Sequence, residues 1–389
     1  RNEMENDPTI GEFKNIGIQE RLRRRAAAWA PTRKKNSTFT VLHPVAVPAV
    51  LAVPTVSAFA GGQLLVNHWS KVFSELHCCP IAQATLVEHC VRGPFVATWV
   101  LDKPDFLHIL HRAHDSSPGP DGLPYSAWAN SPPHIQDEMF NMYSDLLDGG
   151  DLPPSFNKCY LACIPKGDAP GDHLGVARTP GSTRPIAMSN SVAKVLAMAV
   201  NRSLAPIAQR TILDRQRGFV RGRSITDNIL ETESLAIRFV KFYSANSGIV
   251  LFDFAAAFPS LAHAWIFIVL NFIKIPAGIF NLVHAMYQKN IAYINTPRGM
   301  RLLFIVLSGV LQGCPLSGSL FVIVIDPLLH IFRIQLEDTA LGKVRACADD
   351  VGVALKVFKA LSILHDVFCV FRRVSGLAQQ MFYDYHMFR

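Results

Sequence analysis

Acidic residues are the scarcer charge in this chain. Its 389 residues hold 30 Asp and Glu against 38 Lys and Arg, a net charge of +8, and half of the composition is hydrophobic. That length excludes a mini-protein and allows more than one lobe, while the balance implies a folded chain with an acidic partner, nucleic acid or an anionic membrane surface. A signal-peptide pattern is missing from residues 1–31, so the eight cysteines read as reduced thiols of an intracellular chain. His77, Cys78, Cys79, His89 and Cys90 lack the paired C-x₂₋₄-C and H-x₃₋₅-H spacing of a structural zinc site. No endonuclease constellation and no C-terminal Cys/His knuckle is found. Charge is absent altogether from 254–273 and 302–325, and a window of about 19 residues takes both as membrane spans. The middle of the second run excludes that reading. Gly309, Gln312, Gly313, Pro315, Ser317 and Gly318 would break or desolvate a helix in lipid, so a strand, a turn and a buried helix are expected, with no membrane partner.

What is present falls into an order along the chain. Residues 1–61 form a basic and Pro/Ala-rich leader, with RLRRR at 21–25, RKK at 33–35 and prolines at 44, 48 and 54 that forbid a continuous helix. From 62 to 117 the apolar spacing is helical. The cluster SSPGPDGLP (116–124) fixes an irregular loop whose Asp121 can cap the next helix. Helix is expected over 134–147, strand over 158–168, helix from a cap at Ser189 or Asn190, helix over 228–242, and helix again over 356–374.

The stretch RACADDVGVAL (345–355) organises the chemistry. Asp349 and Asp350 interrupt two short apolar strands and so sit at a hairpin tip. Like charges that close call for a cation. Mg²⁺ takes one or two carboxylates plus substrate phosphates, and two ions about 3.5–4 Å apart clamp both the attacking and the leaving oxygen of a phosphoryl transfer. The third acid is Asp253, in the apolar strand GIVLFDF, where an unpaired buried carboxylate is costly unless it binds something. Phe258 lies nearby in sequence. Lys166, ending one strand, and Arg184, opening the next, converge across a hairpin-like turn and suit a triphosphate, with solvated surface charge as the plain alternative. In QRGFVRGRSITDNI (216–229), Gly218 and Gly222 let backbone approach phosphates while Arg217, Arg221 and Arg223 neutralise them. Gln312 and Gly313 offer an amide and an open backbone to a ligand, ordinary turn chemistry being the other reading.

The ordered set IPKGD, RPI, QRGFVRGRSITDNI, LFDFAAAFPSL, GVLQGCPLSGSLF and ADD resembles the reverse transcriptase domain of non-LTR (LINE-type) retrotransposons over roughly 118–377. The resemblance implies an α+β right-hand polymerase, with fingers over 118–246, a palm over 247–376, and 377–389 as the start of a truncated or diverged palm/thumb junction, the thumb largely missing. It implies two Mg²⁺ ions, with Mn²⁺ as the alternative, held by Asp253 and Asp349 with Asp350 in support. Lys166 and Arg184 become triphosphate ligands, Phe258 the aromatic that blocks a 2′-OH, and Gln312 and Gly313 the border of the incoming nucleotide and template base. RNA template, DNA primer and dNTPs are the implied partners, and the nucleus the implied place of action. An inactive copy that retains nucleic-acid binding is the competing expectation. Within the polymerase class an intron-encoded or viral RNA-copying enzyme is the nearest alternative reading, and Phe258 speaks against making RNA. The chain departs from the family at Cys347, where an aromatic is usual, and at Gln380 and Tyr383, where Asn and Lys follow Ser-Gly-Leu.

Overall fold

The computed structural model describes residues 41–42, 58–90, 100–153, 155–167, 177–243, 247–296 and 299–382. The basic runs of the leader, its three prolines and Tyr383 lie outside them, as do the side chains of His89, Cys90 and Gln380. The chain divides into two units, Arg1–His68 with Cys163–Arg184, and Trp69–Ala162 with Pro185–Arg389.

The helices are α1 (Ala58–Val72), α2 (Pro80–Cys90), α3 (Lys103–Arg112), α4 (Tyr125–Ala129), α5 (Pro133–Leu147), α6 (Ser191–Thr211), α7 (Ile225–Tyr243), α8 (His263–Phe272), α9 (Ala277–Tyr287), α10 (Ser317–Phe332) and α11 (Leu361–Ser375). The strands are β1 (Val41–Leu42), β2 (Lys158–Pro165), β3 (Ala177–Arg178), β4 (Thr183–Ser189), β5 (Gly248–Phe254), β6 (Asn290–Thr296), β7 (Gly299–Val306), β8 (Gly342–Cys347), β9 (Asp350–Leu355) and β10 (Gln379–Phe382). They form a parallel pair, β1 with β3, and two four-stranded sheets ordered β4-β2-β6-β7 and β10-β5-β9-β8. This is an α+β chain.

In the larger unit the sheet β10-β5-β9-β8 is antiparallel throughout. Its strands alternate as period-2 geometry requires: Val250, Phe252, Phe254, Val344, Val351 and Val353 are buried, whereas Leu251 is 47% exposed on the opposite face. The buried face meets α11 through Phe368, whose ring lies 4.9 Å from Phe252 and 5.8 Å from Phe254. Beneath it α10 runs through the core, with Leu320, Phe321, Ile325, Leu328 and Phe332 fully or almost fully shielded. Such burial of aliphatic and aromatic side chains, about 1.5–3 kcal/mol each, is what holds the unit together.

Both uncharged runs resolve as the turn chemistry requires. Residues 302–325 end β7, pass through a loop with Gly309 and Gly313 at positive φ, and enter α10; residues 254–273 end β5, turn, and enter α8. Among the described residues one helical stretch, Ser317–Glu337, is long and apolar enough to cross a membrane, and 78% of its apolar window is buried inside the fold.

Two expected caps are corrected. Asn190 stands at the N-cap of α6, just before Ser191, yet its side chain makes no cap bond; it accepts instead from Asp121 N at 3.2 Å. Asp121 turns its own loop by accepting from Leu123 N at 3.0 Å, and the carboxylate that reaches the start of α4 is Asp115, which takes Ser126 N at 2.9 Å. The last long helix also starts late, at Leu361, after a 3₁₀ turn at Phe358–Ala360.

Candidate active site

Asp349 lies in the loop that joins β8 to β9, and Asp350 opens β9. Cys347 pairs with Asp350, so the loop is the two residues Ala348 and Asp349. Such short loops prefer a residue at positive φ, and here that residue is Ala348, at φ 58. Asp253 sits near the end of β5, the neighbour of β9. Phe252 pairs with Val351, and one further step of that register sets Asp253 against Asp350. The two carboxyls feel one another: partial burial, and then the Asp253 charge, push the Asp350 carboxyl up from its ordinary value. Cys347 belongs to the same patch, its thiol raised by burial and by the charges of Asp350 and Asp349.

One premise of the sequence reading changes here. Asp253 is not sealed in an apolar strand; it is half-buried on the face that also carries the exposed Leu251. Asp253 and Asp350 therefore lie on the accessible face of the two central strands. Their donor set, carboxylate oxygens without imidazole or thiolate ligands of suitable spacing, fits a hard cation such as Mg²⁺. As the side chains stand, however, the described residues contain no group of three or more His, Cys, Asp or Glu arranged to hold a metal ion.

Phe258 lies in the turn after β5, half-buried, stacked on Phe321 at 4.7 Å and 13° and edge-on to Phe219 at 5.8 Å. Its backbone carbonyl accepts from Val310 N at 2.8 Å, which ties this turn to the loop that carries Gln312. Gln312 in turn accepts Ala187 N through its own carbonyl at 2.8 Å. At Gly313, with φ 104, a Cβ would stand 2.8 Å from Ala187 O, so only glycine fits against that strand. Gln312 is half-exposed and Gly313 exposed.

Lys166 and Arg184 belong to the smaller unit and are both exposed. Lys166 N donates to Ser182 O at 2.9 Å, which brings the end of β2 beside the start of β4 and the two cations to one end of that strand pair.

The arginines of 216–229 divide. Arg217 donates to Glu231 at 2.5 Å, and Arg345 of β8 donates to the other oxygen of the same carboxylate at 2.5 Å, so these two cations hold the Glu231 carboxyl below its usual range. Arg223 spends its guanidinium on carbonyls at the end of α6 and in the loop beyond: Leu213 at 2.6 Å, Gln216 at 2.7 Å, Ile212 at 2.9 Å and Gln209 at 3.3 Å. Arg221 is exposed and makes no ion pair among the described residues. Gly218 also serves the protein, because a Cβ there would lie 2.2 Å from Ala348 N. Sequence reasoning passed over Gln216, which is wholly buried against the acidic turn.

The structure thus sets a hairpin with adjacent acids beside a strand that brings a third. Comparison with known proteins gives the family. The chain belongs to the reverse transcriptase (RNA-dependent DNA polymerase) family, which matches residues 164–378, and its reverse transcriptase domain is of the non-LTR retrotransposon kind. It is 30% identical over 327 residues to the Pol polyprotein of the type-2 retrotransposable element R2DM of Drosophila melanogaster, covering 82% of this chain and 29% of that one. Similarity to the transposon TX1 149 kDa protein of Xenopus laevis is 25% over 262 residues, covering 64% of this chain and 19% of that one. A type-1 R2 polyprotein of Nasonia vitripennis is 28% identical over 245 residues, which cover 62% of this chain and 22% of that one. The chain thus spans less than a third of each of these relatives.

Proposed function

We propose that this chain is the RNA-directed DNA polymerase part of a non-LTR retrotransposon protein, adding dNTPs to a primer 3′-OH on an RNA template. The observation that carries the reading is the approach of Asp253 to the Asp349–Asp350 hairpin across neighbouring strands, where partial burial and then the Asp253 charge raise the Asp350 carboxyl. Asp253 and Asp349 would hold two Mg²⁺ ions, with Asp350 in support. When bound, such ions lower the pKa of the attacking hydroxyl and steady the leaving pyrophosphate.

The remaining residues position and select. Lys166 meets the triphosphate as a point charge and Arg184 grips it through its planar fork. Phe258, held from two sides by Phe321 and Phe219, is too firmly seated to yield to a ribose 2′-OH, which favours deoxynucleotides. Gln312 and Gly313 border the nucleotide and the template base. Of the three arginines, Arg221 is the one free to neutralise a phosphate of the template or primer.

Primer extension on an RNA template tests the reading. Asp349→Asn is expected to abolish extension in Mg²⁺ while leaving RNA binding nearly intact, and wild-type extension by that variant would overturn the assignment. A wild-type chain that binds primer and template but extends nothing would support the binding-only alternative.

A further inference from the structure

Three hydrogen bonds meet at the Gln216 side chain. Its Oε1 accepts from Gly218 N and from Ala348 N, each at 2.8 Å, and its Nε2 donates to Ala348 O at 3.2 Å. Both backbone polar groups of Ala348 are therefore tied to one carboxamide, and that carboxamide has no exposure to solvent. The backbone around it closes the same junction: Ala346 N donates to Arg215 O, and Arg217 N to Ala346 O, each at 2.8 Å. Asn228 adds a bond to Ala346 O at 2.7 Å.

Ala348 needs such a hold. With φ 58 it occupies a backbone region that a Cβ disfavours, and glycine is the residue that a two-residue hairpin loop takes at this position. Nothing local to the sequence ADD explains why the loop keeps this shape. The missing restraint comes from 132 residues away in the chain, and Gly218 lets it come close, since a Cβ at that position would strike Ala348 N at 2.2 Å.

We propose that Gln216 is a positioning residue for nucleotidyl transfer: its carboxamide locks the Ala348–Asp349 turn in the shape that presents Asp349 and Asp350 to Asp253. Turnover depends on it and substrate binding does not. The proposal rests on the reading of these three acids as the catalytic set, and Asp349→Asn serves as the control for that reading.

The test compares wild type, Gln216→Leu, Ala348→Gly and the double variant in primer extension, with dNTP KM, primer–template Kd, thermal melting and hydrogen exchange over 346–350 measured in parallel. Gln216→Leu is expected to lower kcat about 100-fold, as a misplacement near 1 Å does, with KM and Kd close to wild type and melting lowered because three buried backbone groups lose their partner. Exchange over 346–350 quickens while α10 stays protected. Ala348→Gly relieves the backbone conflict, so in the Gln216→Leu background it regains about tenfold in kcat, although alone it changes little. That rescue is the readout a merely structural role would not give. Wild-type kcat in Gln216→Leu overturns the proposal, and so does a kcat loss that travels with lost primer–template binding or that Ala348→Gly does not relieve. Where Gln216→Leu yields no folded chain, Gln216→Glu, which keeps both accepted bonds and loses the donated one, carries the same rescue measurement with the same criterion. If Asp349→Asn extends primers, the catalytic reading has failed by itself, and hydrogen exchange alone then decides whether Gln216 locks the turn.

Discussion

Replacing Arg223 with alanine separates a structural cation from a nucleic-acid contact. Arg223 donates four hydrogen bonds, two of them short, to Leu213 O at 2.6 Å and Gln216 O at 2.7 Å. A hydrogen bond from a charged group contributes about 1.5–3 kcal/mol net, so these two alone set a gross value of at least about 3 kcal/mol. Burial of the guanidinium, the same desolvation that draws its pKa down, offsets part of that. About 2–3 kcal/mol of stability should be lost, which in a large domain shifts the melting temperature by up to roughly 10 °C. Arg223→Lys keeps the charge but not the fork, and should lose most of the same stability. The assay is urea denaturation beside RNA binding measured over a range of salt. Removing a phosphate contact reduces the salt slope by about 0.7–0.9, whereas removing an internal brace leaves it unchanged. Unchanged stability in Arg223→Ala, together with a slope smaller by that amount, would refute the structural assignment.

Gly309→Ala should cost at least about 2 kcal/mol in denaturant titration, since φ is 81 and the new Cβ would lie 2.3 Å from Pro259 O; Gly122→Ala, with φ 71 and open space around it, should cost only about 1 kcal/mol. Equal losses would show that the contact with Pro259 does not matter. For Asp350 the folded carboxyl titrates above its unfolded value, so its ionisation burdens the fold: the burden is absent below the unfolded pKa and complete above the folded one. Asp350→Asn should therefore melt higher than wild type at pH 7, with the gain fading as the pH falls through the carboxylate range near about 4; a gain that persists in acid contradicts burial and the Asp253 charge as its cause. Cys347→Phe, which places an aromatic beside Asp350, should raise the extension rate several-fold if that side chain supports the primer end, and an unchanged or lower rate removes the role.

The acidic hairpin was legible because two-residue periodicity on both sides of ADD leaves a single place for the turn, and the buried Val344, Val351 and Val353 enforce it. Asp253 was legible as a candidate but not in its setting. Leu251 on the open face is as apolar as its buried neighbours, so the alternation of GIVLFDF is invisible in the letters and the strand reads as buried on both sides. The arginines of 216–229 misled for a different reason. Charge in a sequence points outward by default, and the groups that claim Arg217 and Arg223 are a carboxylate on the following helix and carbonyls at the end of the preceding one. Gln216 was missed because a neutral amide gives no signal until the backbone it serves, 132 residues later, is seen beside it. Asp115 was passed over for Asp121 because the loop between them folds back on itself.

The burial of α10 has a consequence for how the chain is made. This helix is buried along most of its length and is covered by α2, α6 and α8, all earlier in the chain, and by α11, which is later. Phe332 meets Phe368 at 5.1 Å, so part of the wall around α10 is synthesised last. A growing polypeptide therefore carries, for the interval between residue 332 and residue 375, a helix of membrane-like hydropathy with one flank uncovered. Until α11 closes that flank it is open to non-native contacts, and a chain halted before Leu361 is expected to aggregate more readily than one that includes α11.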